Sequence, residues 1–429
     1  MQTDLKNVKL INDPLWGLID ITDYLPMIDV PQFQALGFKY QLGVTSMLFP
    51  SATHTRKQHC LGAFRRTQQL TDRWLRRGFI NNKEARLLEG FALWHDIGHG
   101  PFSHVAEEVT KEFYGSDHDE HGAQIIDNLR YAAEAANLNF DELKKLFTHE
   151  NQLYLAVHDK NLGTEKLDYL SRDAYYTLGE TPGVEYLANH TYFIENKIVI
   201  DEKAIDQAKA IQEFYVKMYK NVYLRKNSTI AQRLVQKMMF KLVKEMSMAE
   251  NDFWALTDFG LLGLFETSKN ELISGYYQRF MGRDLPKSAI SIRSEKFASF
   301  EEVTHKAQNV FGVSEEVMHK LVSSENFSSQ SKLEALEAEI EKLAGLPEHS
   351  VIIVPPSSVE RFVPKDINIY TSGGKINTLR QYFEEHFKAL EEEGRSYIVM
   401  RICAFEEHRR KLSEHVVAEK IKDYILSLV

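Results

Sequence analysis

Apolar residues recur at three- and four-residue spacing through most of the first 265 residues, which is the pattern of amphipathic helices. After a long helix that runs through about residue 77, further helices are predicted at 83–96, 102–114, 118–135, 140–148, 165–178, 203–226 and 227–248. An earlier helix is predicted over 32–42, with Asp29 before Pro31 as its N-cap. Alternating apolar positions within 8–21 and 192–201 predict two small β-hairpins.

The last third of the chain has a more mixed pattern. Residues 351–354 are a continuous apolar run before two prolines and predict a strand, and 367–369 and 396–401 predict further strands. Helical spacing predicts helices at 269–285, 299–322, 331–344, 376–394 and 411–428. We therefore expect a mainly α fold in two parts, a helical domain over 1–268 and a smaller α+β lobe over 269–429.

The composition is that of an ordinary globular protein: the 429 residues are 43% hydrophobic and 26% charged. The formal net charge of −9 argues against a nucleic-acid partner, which needs a basic surface. Cys60 and Cys403 lie far apart and indicate neither a disulfide framework nor a cysteine zinc site. No apolar run approaches the ~20 residues that span a bilayer, and the first residues lack the apolar core of a signal peptide. We expect a cytoplasmic protein without a membrane partner.

Residues 95–104 hold three histidines and an aspartate directly after a predicted amphipathic helix. Glycines and a proline within this stretch end the helix, so it delivers His95 and Asp96 in its last turn. An aspartate at a helix C-terminus faces the negative end of the helix dipole, at a cost of roughly 0.3–1 kcal/mol. A bound cation would reverse the sign of that interaction.

Four side chains on three segments are candidates for a metal centre. His59, His95 and Asp96 are joined by one later carboxylate, either Glu165 or Asp168. Two imidazoles with carboxylates suit zinc, iron, manganese or nickel, and leave positions for water and substrate. A divalent cation there would make hydroxide available near neutral pH and offset charge on a phosphoryl group. The pattern therefore indicates a metal-dependent phosphohydrolase.

Neighbouring polar residues are candidates for phosphate and proton chemistry. His99, His104 and His118 can donate to phosphate oxygens or to a leaving group. Glu107 can hydrogen-bond one of these imidazoles and raise its pKa. Other candidates can equally be packed histidines, surface charges or core aromatics. They are His54, His121, Arg56, Lys166, Tyr169, Tyr219 and Tyr223.

His59, the His95-Asp96 doublet and the tail that ends at His104 together resemble the HD superfamily of metal-dependent phosphohydrolases. More narrowly, motifs in order from about residue 8 to 180 resemble the branch containing the SAM-and-HD-domain deoxynucleotide triphosphohydrolases. These motifs are Ile11-Asn12-Asp13-Pro14, Pro31-Gln32-Phe33-Gln34, Gln41-Leu42-Gly43, His54-x-Arg56-x-x-His59-x-Leu61-Gly62 and Leu167-Asp168-Tyr169-Leu170-x-Arg172-Asp173. The resemblance implies an HD-domain helical fold, a homo-oligomer, and attack on the α-phosphorus that releases a deoxynucleoside and tripolyphosphate.

The resemblance also implies a role for each matching residue. The implied ligands of one divalent ion, whether zinc, iron, manganese, nickel or magnesium, are His59, His95, Asp96 and Glu165. The residues implied to act on the phosphates are His99, His104 and His118, with Glu107 where the family has a supporting aspartate. The implied substrate contacts are Arg56 and Lys166 to the triphosphate, Gln41 and Asp173 to the sugar 3′-hydroxyl, and Tyr169 and Tyr223 to the sugar ring.

Three departures from the family's pattern bear on activity. Glu165 occupies the position of an aspartate ligand, and its extra methylene either still reaches the metal or leaves the site weak. Ala35 and Gly37 stand where the family carries arginines that hold an activating guanine nucleotide, so we expect weak or absent activation by GTP. Tyr215 replaces an expected phosphate-binding arginine, which favours a smaller substrate.

Three hypotheses follow for the function of the chain. The first is a metal-dependent hydrolase of deoxynucleoside triphosphates. The second is a phosphatase or phosphodiesterase acting on a smaller phosphate ester. The third is a nucleotide-binding or scaffolding protein in which the altered ligand Glu165 has cost catalysis.

Overall fold

The computed structural model describes residues 8–299, 309–358 and 363–429, and helices dominate it, as predicted. The described α-helices are α1 (Leu25–Ile28), α2 (Pro31–Ala35), α3 (Arg56–Arg76), α4 (Asn82–Trp94), α5 (His104–Tyr114), α6 (His118–Ile125), α7 (Arg130–Ala135), α8 (Phe140–Phe147), α9 (Leu155–His158), α10 (Thr164–Leu178), α11 (Val184–Asn189), α12 (Ile205–Met218), α13 (Lys226–Met246), α14 (Glu250–Ala255), α15 (Asp258–Glu266), α16 (Glu271–Met281), α17 (Glu315–Ser323), α18 (Gln330–Ala344), α19 (Leu379–Tyr382), α20 (Glu384–Arg395), α21 (Glu406–Leu412) and α22 (His415–Leu426). No helix in these ranges is both long and apolar enough to cross a bilayer.

The strands form three small sheets. They are β1 (Leu10–Asp13), β2 (Gly17–Asp20), β3 (Thr191–Ile194), β4 (Lys197–Asp201), β5 (Lys287–Ser294), β6 (Asn309–Val313), β7 (Val351–Val354), β8 (Asn368–Tyr370), β9 (Ile376–Thr378) and β10 (Val399–Ala404). The antiparallel pairs β1–β2 and β3–β4 confirm both predicted hairpins. One four-stranded sheet has the order β3-β4-β8-β9, with β4 and β8 parallel, and the other has the order β6-β5-β10-β7.

Three helices form the framework on which the site is built. Thr55 and Asn81 each close a capping box, which fixes where α3 and α4 begin. The apolar faces of α3, α4 and α10 share one large core. Gly62 on α3 lets α10 approach closely, because a Cβ at this position would lie 2.0 Å from Oδ1 of Asp168.

A buried brace holds the loop between α4 and α5. Asp258 accepts hydrogen bonds from the backbone N–H groups of Phe102 (2.6 Å) and Tyr40 (2.7 Å). The Lys39 ammonium donates to the carbonyl oxygen of His99 (2.5 Å). Phe102 has a φ of 55°, a conformation that a bulky residue holds only when its surroundings impose it. The brace therefore fixes the loop that carries the histidine cluster.

Two further cores lie beyond this framework. The second joins α5, α13, α15 and α16, and it includes Leu261 and Ile273 together with Cys403 of β10. The third lies between the sheet β6-β5-β10-β7 and the helices α17, α18 and α22, and it forms the expected α+β region. The boundary at 268/269 stays a prediction, because apolar residues from both of its sides share the second core.

Some predicted elements were wrong in extent. Pro31 is the first residue of α2, so Val30 takes the N-cap position and Asp29 instead ends α1. That helix stops at Ala35 and continues only as a short 3-10 turn. Within the helix predicted at 299–322, residues 300–308 lie outside the described residues and 309–313 form β6, parallel to β5. Residues 376–378 form β9 in place of a helical start.

Candidate metal centre and its cavity

The two histidines His59 and His95 face each other at the meeting point of α3 and α4. Their Nε2 atoms are 3.1 Å apart. Nδ1 of His59 donates to Oδ2 of Asp168 (2.8 Å), and Nδ1 of His95 donates to the carbonyl oxygen of Ala92 (2.8 Å). Carboxylate and carbonyl oxygens only accept, so both Nδ1 atoms carry protons, which leaves the facing Nε2 atoms as the ones that would bind a metal ion. Two imidazoles oriented in this way by hydrogen bonds through Nδ1 fit a shared cation.

Two carboxylates complete the group around these nitrogens. Asp96 has Oδ1 3.5 Å from Nε2 of His95 and Oδ2 3.7 Å from Nε2 of His59. Glu165 on α10 has Oε2 3.6 Å from Nε2 of His95. Ligands at ~2.1 Å from one metal ion lie about 3.0–3.4 Å from each other, close to these separations. Three of the four predicted ligands, His59, His95 and Asp96, therefore have ligand atoms within 4.8 Å of one another, and Glu165 lies outside this group beside His95.

The two carboxylates differ in their electrostatic surroundings. Burial raises the pKa of Asp96, but the charge of Arg56, which donates from Nη1 to Oδ2 (2.6 Å), holds the pKa well below its usual value. Burial raises the pKa of Glu165, and the nearby charge of His95 only partly opposes it. A cation at the centre would stabilise the ionised form of Glu165.

Asp168 does not join the group around the facing nitrogens, although it was the alternative to Glu165. It accepts hydrogen bonds from Trp16, from Nε and Nη2 of Arg172 (3.0 and 2.9 Å) and from Nδ1 of His59. Burial raises its pKa, but the charge of Arg172 and the hydrogen bond from His59 lower it further than burial raises it. Asp168 therefore orients a ligand.

A second group of ionisable side chains lies beside the first. Oε1 of Glu107 is 2.7 Å from Nδ1 of His104 and 2.5 Å from Nδ1 of His118. The rings of His99 and His118 stack with centroids 3.8 Å apart, and Nε2 of His99 is 3.4 Å from Oδ1 of Asp96. The three histidines that were predicted to act on the phosphates and their predicted supporting residue Glu107 are therefore adjacent to one another and to the candidate metal centre.

These contacts favour a negative charge on Glu107 and a positive charge on His118. Burial raises the pKa of Glu107, but the charge of His104 and hydrogen bonds from both histidines push it far below its usual value. Burial lowers the pKa of His118, but the hydrogen bond and charge of Glu107 outweigh burial and raise the pKa overall. Burial and the charge of Arg56 lower the pKa of His99 well below its usual value. One carboxylate thus favours a protonated His118 beside a neutral His99.

Both groups open into one cavity of about 650 Å³. The predicted site residues that line it are Gln41, Arg56, His59, Asp96, His99, His104, Glu107, His118, Glu165, Tyr169, Asp173 and Tyr223. His95 lies behind this surface. Lys166 does not line the cavity either: its ammonium donates to the carbonyl oxygen of Lys160 (2.5 Å) and lies 3.6 Å from the ring centre of Tyr215. Burial lowers the pKa of Lys166 to about 7.

A fixed polar network lies elsewhere on the cavity wall, away from the histidine cluster. Asp173 accepts from the hydroxyl of Tyr223 (2.7 Å) through Oδ2 and pairs with Nε2 of His54 (2.8 Å) through Oδ1. Oε1 of Gln41 is buried and finds no hydrogen-bond partner within the described part of the chain. His54 is thus packed behind the wall, and His121 stacks on Trp254 (4.8 Å between centroids).

Two residues that line the cavity, Asp119 and His158, were not among the site residues predicted from the sequence. Asp119 lies 3.3 Å from Nε2 of His118 through Oδ1. His158, the last residue of α9, has Nε2 3.4 Å from Oε2 of Glu165, and burial lowers its pKa to about 4. Asp119 directly follows His118 on α6, whereas His158 belongs to no motif and reaches the cavity through the packing of α9.

Comparison with known proteins was made by sequence and by structure. The family model of the HD domain matches residues 56–171, and that of the HD associated region matches residues 184–320. A deoxynucleoside triphosphate triphosphohydrolase SAMHD1 homolog of Dictyostelium discoideum is 28% identical over 62% of this chain and 56% of its own length. An uncharacterized protein of Methanocaldococcus jannaschii is 27% identical over 66% of this chain and 60% of its own. The chain thus spans less than two thirds of either relative.

Two crystal structures have closely similar folds. A phosphohydrolase of Bacteroides thetaiotaomicron superposes with a TM-score of 0.71 at 20% identity, over 93% of this chain and 100% of that one. A hypothetical protein of Aquifex aeolicus gives a TM-score of 0.70 at 21% identity, over 95% and 99%. At these identities the likeness shows the fold, and it confirms the predicted helical HD architecture. The chain therefore contains an HD domain, at residues 56–171.

Proposed function

We propose that this chain is a metal-dependent phosphohydrolase that cleaves deoxynucleoside triphosphates to deoxynucleoside and tripolyphosphate. The observation that carries the proposal is the cluster of the facing Nε2 atoms of His59 and His95 with Asp96, beside which Glu165 lies 3.6 Å from His95 at the cavity. A divalent cation held by these four residues would supply hydroxide near neutral pH and offset charge on the attacked phosphoryl group.

The second histidine group suits the proton chemistry of this reaction. A water oxygen bonds to the α-phosphorus, the bond from phosphorus to the sugar 5′ oxygen breaks, and that oxygen takes up a proton. Glu107 holds His104 and His118 through their Nδ1 atoms, which leaves each Nε2 for other partners. A protonated His118 can supply the proton, and the neutral His99 can donate one N–H to a phosphate oxygen.

The polar network on the remaining wall supports a sugar-bearing substrate. Gln41 presents a buried amide oxygen without a partner among the described residues, so it can accept a hydrogen bond from a sugar hydroxyl. Asp173 and Tyr223 are held rigidly by each other and by His54. The deoxynucleotide identity is further supported by the motif resemblance and by the name of the Dictyostelium discoideum relative.

A second candidate is hydrolysis of a smaller phosphate ester, which the charge of the cavity favours. Among the described residues that line it, the cations other than histidine are Arg56 and Lys111. Arg56 already pairs with Asp96 and donates to Ser103 (2.9 Å). Lys166 points away from the cavity, and Tyr215 replaces the arginine of the family pattern. Few cations are thus left for three phosphate groups.

The test is hydrolysis by protein loaded with each common divalent ion. Each dNTP and a panel of phosphate monoesters are incubated with wild type, H104A and H149A, where His149 is an exposed histidine outside the cavity lining. We expect tripolyphosphate and nucleoside from wild type and H149A, and a large loss in H104A. Orthophosphate from monoesters with untouched triphosphates would favour the smaller ester. Nucleotide binding without hydrolysis or bound metal would favour a scaffold and contradict both enzyme hypotheses.

A further inference from the structure

One side of helix α13 forms part of the cavity wall and has no role in the chemistry proposed so far. Its residues Thr229, Gln232 and Gln236 line the cavity. They are spaced three and four residues apart, so they share one face of the helix. Their neighbours Ala231 and Val235 are instead buried in the second core. Helix α13 therefore presents a neutral, polar wall to the cavity.

This wall lies beyond the second histidine group as seen from the metal centre. Nε2 of His99 is 3.4 Å from Oδ1 of Asp96, and the ring centre of His99 is 4.9 Å from that of His104. The next residue after His104 is Val105, whose carbonyl oxygen accepts a hydrogen bond from Nε2 of Gln236 (3.2 Å). The contacts thus lead from Asp96 through the histidines to α13.

The proposed reaction assigns this end of the cavity to the leaving group. In a displacement at phosphorus, the attacking and leaving oxygens lie roughly in line on opposite sides of the phosphorus atom. The attacking water lies beside His59, His95 and Asp96, and the proton donor to the leaving oxygen is His118. The rest of the leaving group therefore extends past the histidines toward α13.

Gln232 is the residue of this wall whose amide is unused. Thr229 donates to the carbonyl oxygen of Lys226 (2.9 Å), and Gln236 donates to Val105. No described residue hydrogen-bonds the side chain of Gln232, which is half-buried. An amide has one acceptor oxygen and a nitrogen with two donors, so it pairs with a group that offers a donor beside an acceptor. The edge of a nucleobase is such a group.

The other residues at this end of the cavity favour an uncharged ring over a phosphate. Val105 and Leu224 line the cavity and offer apolar surface to the faces of a ring. The adjoining helix α5 contributes two carboxylates, those of Glu107 and Glu108, and one ammonium, that of Lys111. A further negative charge is therefore disfavoured beside α13.

We propose that Gln232 is a specificity-determining residue that hydrogen-bonds the nucleobase of the leaving deoxynucleoside, while Val105 and Leu224 contact the faces of the base. This inference rests on the proposed function, because it takes the leaving group to be a nucleoside. The contact also distinguishes a nucleotide from a smaller phosphate ester, whose leaving group would leave the amide of Gln232 unpaired.

The experiment measures binding of the two reaction products separately, so it does not depend on turnover. The full chain loaded with Zn²⁺, as wild type, Q232A and Q278A, is titrated calorimetrically with each of the four deoxynucleosides and with inorganic tripolyphosphate. Gln278 is an exposed glutamine of α16 outside the cavity lining. We expect Q232A to raise the Kd for deoxynucleosides about 3–10-fold, the value of one neutral hydrogen bond, and to leave the Kd for tripolyphosphate unchanged. Q278A should match wild type for both products.

A glutamate variant separates recognition of the base from packing of the wall. Q232E has nearly the same size, but its carboxylate only accepts hydrogen bonds. We expect deoxyguanosine, whose base has adjacent N–H donors, to be retained better than thymidine, whose base presents carbonyl acceptors. The order of the four Kd values should therefore change, which a loss of packing alone would not cause.

Three results would overturn the proposal: an unchanged order of Kd values in Q232E, equal Kd values in wild type and Q232A, or no deoxynucleoside binding to wild type. Thermal unfolding verifies that each variant is folded. Nucleoside binding that depends on Gln232, without hydrolysis of any dNTP, would contradict the proposed function and leave the contact to the base standing. Hydrolysis of dNTPs with wild-type nucleoside affinity in Q232A would do the reverse.

Discussion

Asp168 and Glu165 lie one helical turn apart on α10 and have opposite environments. Asp168 accepts from Trp16, Arg172 and His59, so both of its oxygens are occupied. Glu165 accepts no hydrogen bond from the described residues and has two histidine nitrogens at 3.4 and 3.6 Å. Hydrogen bonds therefore occupy both oxygens of Asp168, whereas the oxygens of Glu165 remain able to bind a cation.

This difference in hydrogen bonding indicates whether a carboxylate in the protein supports the structure or is able to bind a metal ion. A saturated carboxylate has its pKa lowered by its partners and contributes to stability and to orientation of a ligand. An unsaturated one has its pKa raised by burial, and the cost of its ionised form is offset either by protonation or by a bound cation. The two residues should therefore respond in opposite ways to substitution.

Replacing Asp168 should have the largest effect. D168A removes one of the two acidic partners of the buried Arg172 and the acceptor that orients His59. We expect a loss of roughly 3–5 kcal/mol in the free energy of unfolding, together with about a 10–100-fold weaker metal affinity. Urea unfolding of metal-free protein and zinc titration measure the two effects. D23A, which breaks an exposed pair with Arg86, is the control and should cost less than about 1 kcal/mol.

E165Q should separate metal binding from stability. Because the pKa of Glu165 is raised, its ionised form costs the metal-free protein stability as pH rises through that pKa. E165Q removes this loss, so the metal-free variant should be at least as stable as wild type at neutral pH. Its metal affinity should fall by about 10-fold or more, since a neutral amide replaces a charged ligand. Unchanged metal affinity would show that Glu165 is not a ligand.

Much of the candidate site could be predicted because its residues lie in short motifs. His59, the His95-Asp96 doublet and the histidines up to His118 were found from their spacing and from the family resemblance. The choice between Glu165 and Asp168 could not be made from the residues alone, since both lie on α10. It depends on Trp16, which is 152 residues away in sequence from Asp168.

Contacts between residues far apart in the sequence explain the other differences between the predicted and the observed structure. Residues 309–313 were predicted as part of a helix, but they form the strand β6. Parallel pairing with β5 stabilises this strand, and the local pattern of apolar residues does not reveal that pairing. His158 sits in no motif, and only the packing of α9 on α4 brings it to Glu165. The helix predicted at 83–96 agrees closely with α4, Asn82–Trp94, because the apolar spacing that predicts it is local.

Glu107 is a third carboxylate at the site, and two histidines on the cavity wall, His104 and His118, pair with it. Its hydrogen bond and charge raise the pKa of His118, so E107Q should lower that pKa. If protonated His118 supplies the proton, activity is lost as pH rises through its pKa, and the alkaline limb of the pH–rate profile should move to lower pH in E107Q. We expect roughly a 10-fold loss of kcat at neutral pH. An unmoved limb would show that Glu107 does not set this protonation.

The smallest effect should come from W16F, which tests whether the two oxygens of Asp168 have separate roles. Trp16 donates to Oδ1, whereas His59 is held by Oδ2, so removing the indole N–H leaves the orientation of His59 in place. We expect a loss of about 1.5–3 kcal/mol in the free energy of unfolding, the value of one hydrogen bond to a charged group. Zinc affinity should change less than about 3-fold, because Arg172 still holds the carboxylate on both oxygens. A large loss of metal affinity without a loss of stability would mean that Asp168 transmits the position of the β1–β2 hairpin to the metal centre.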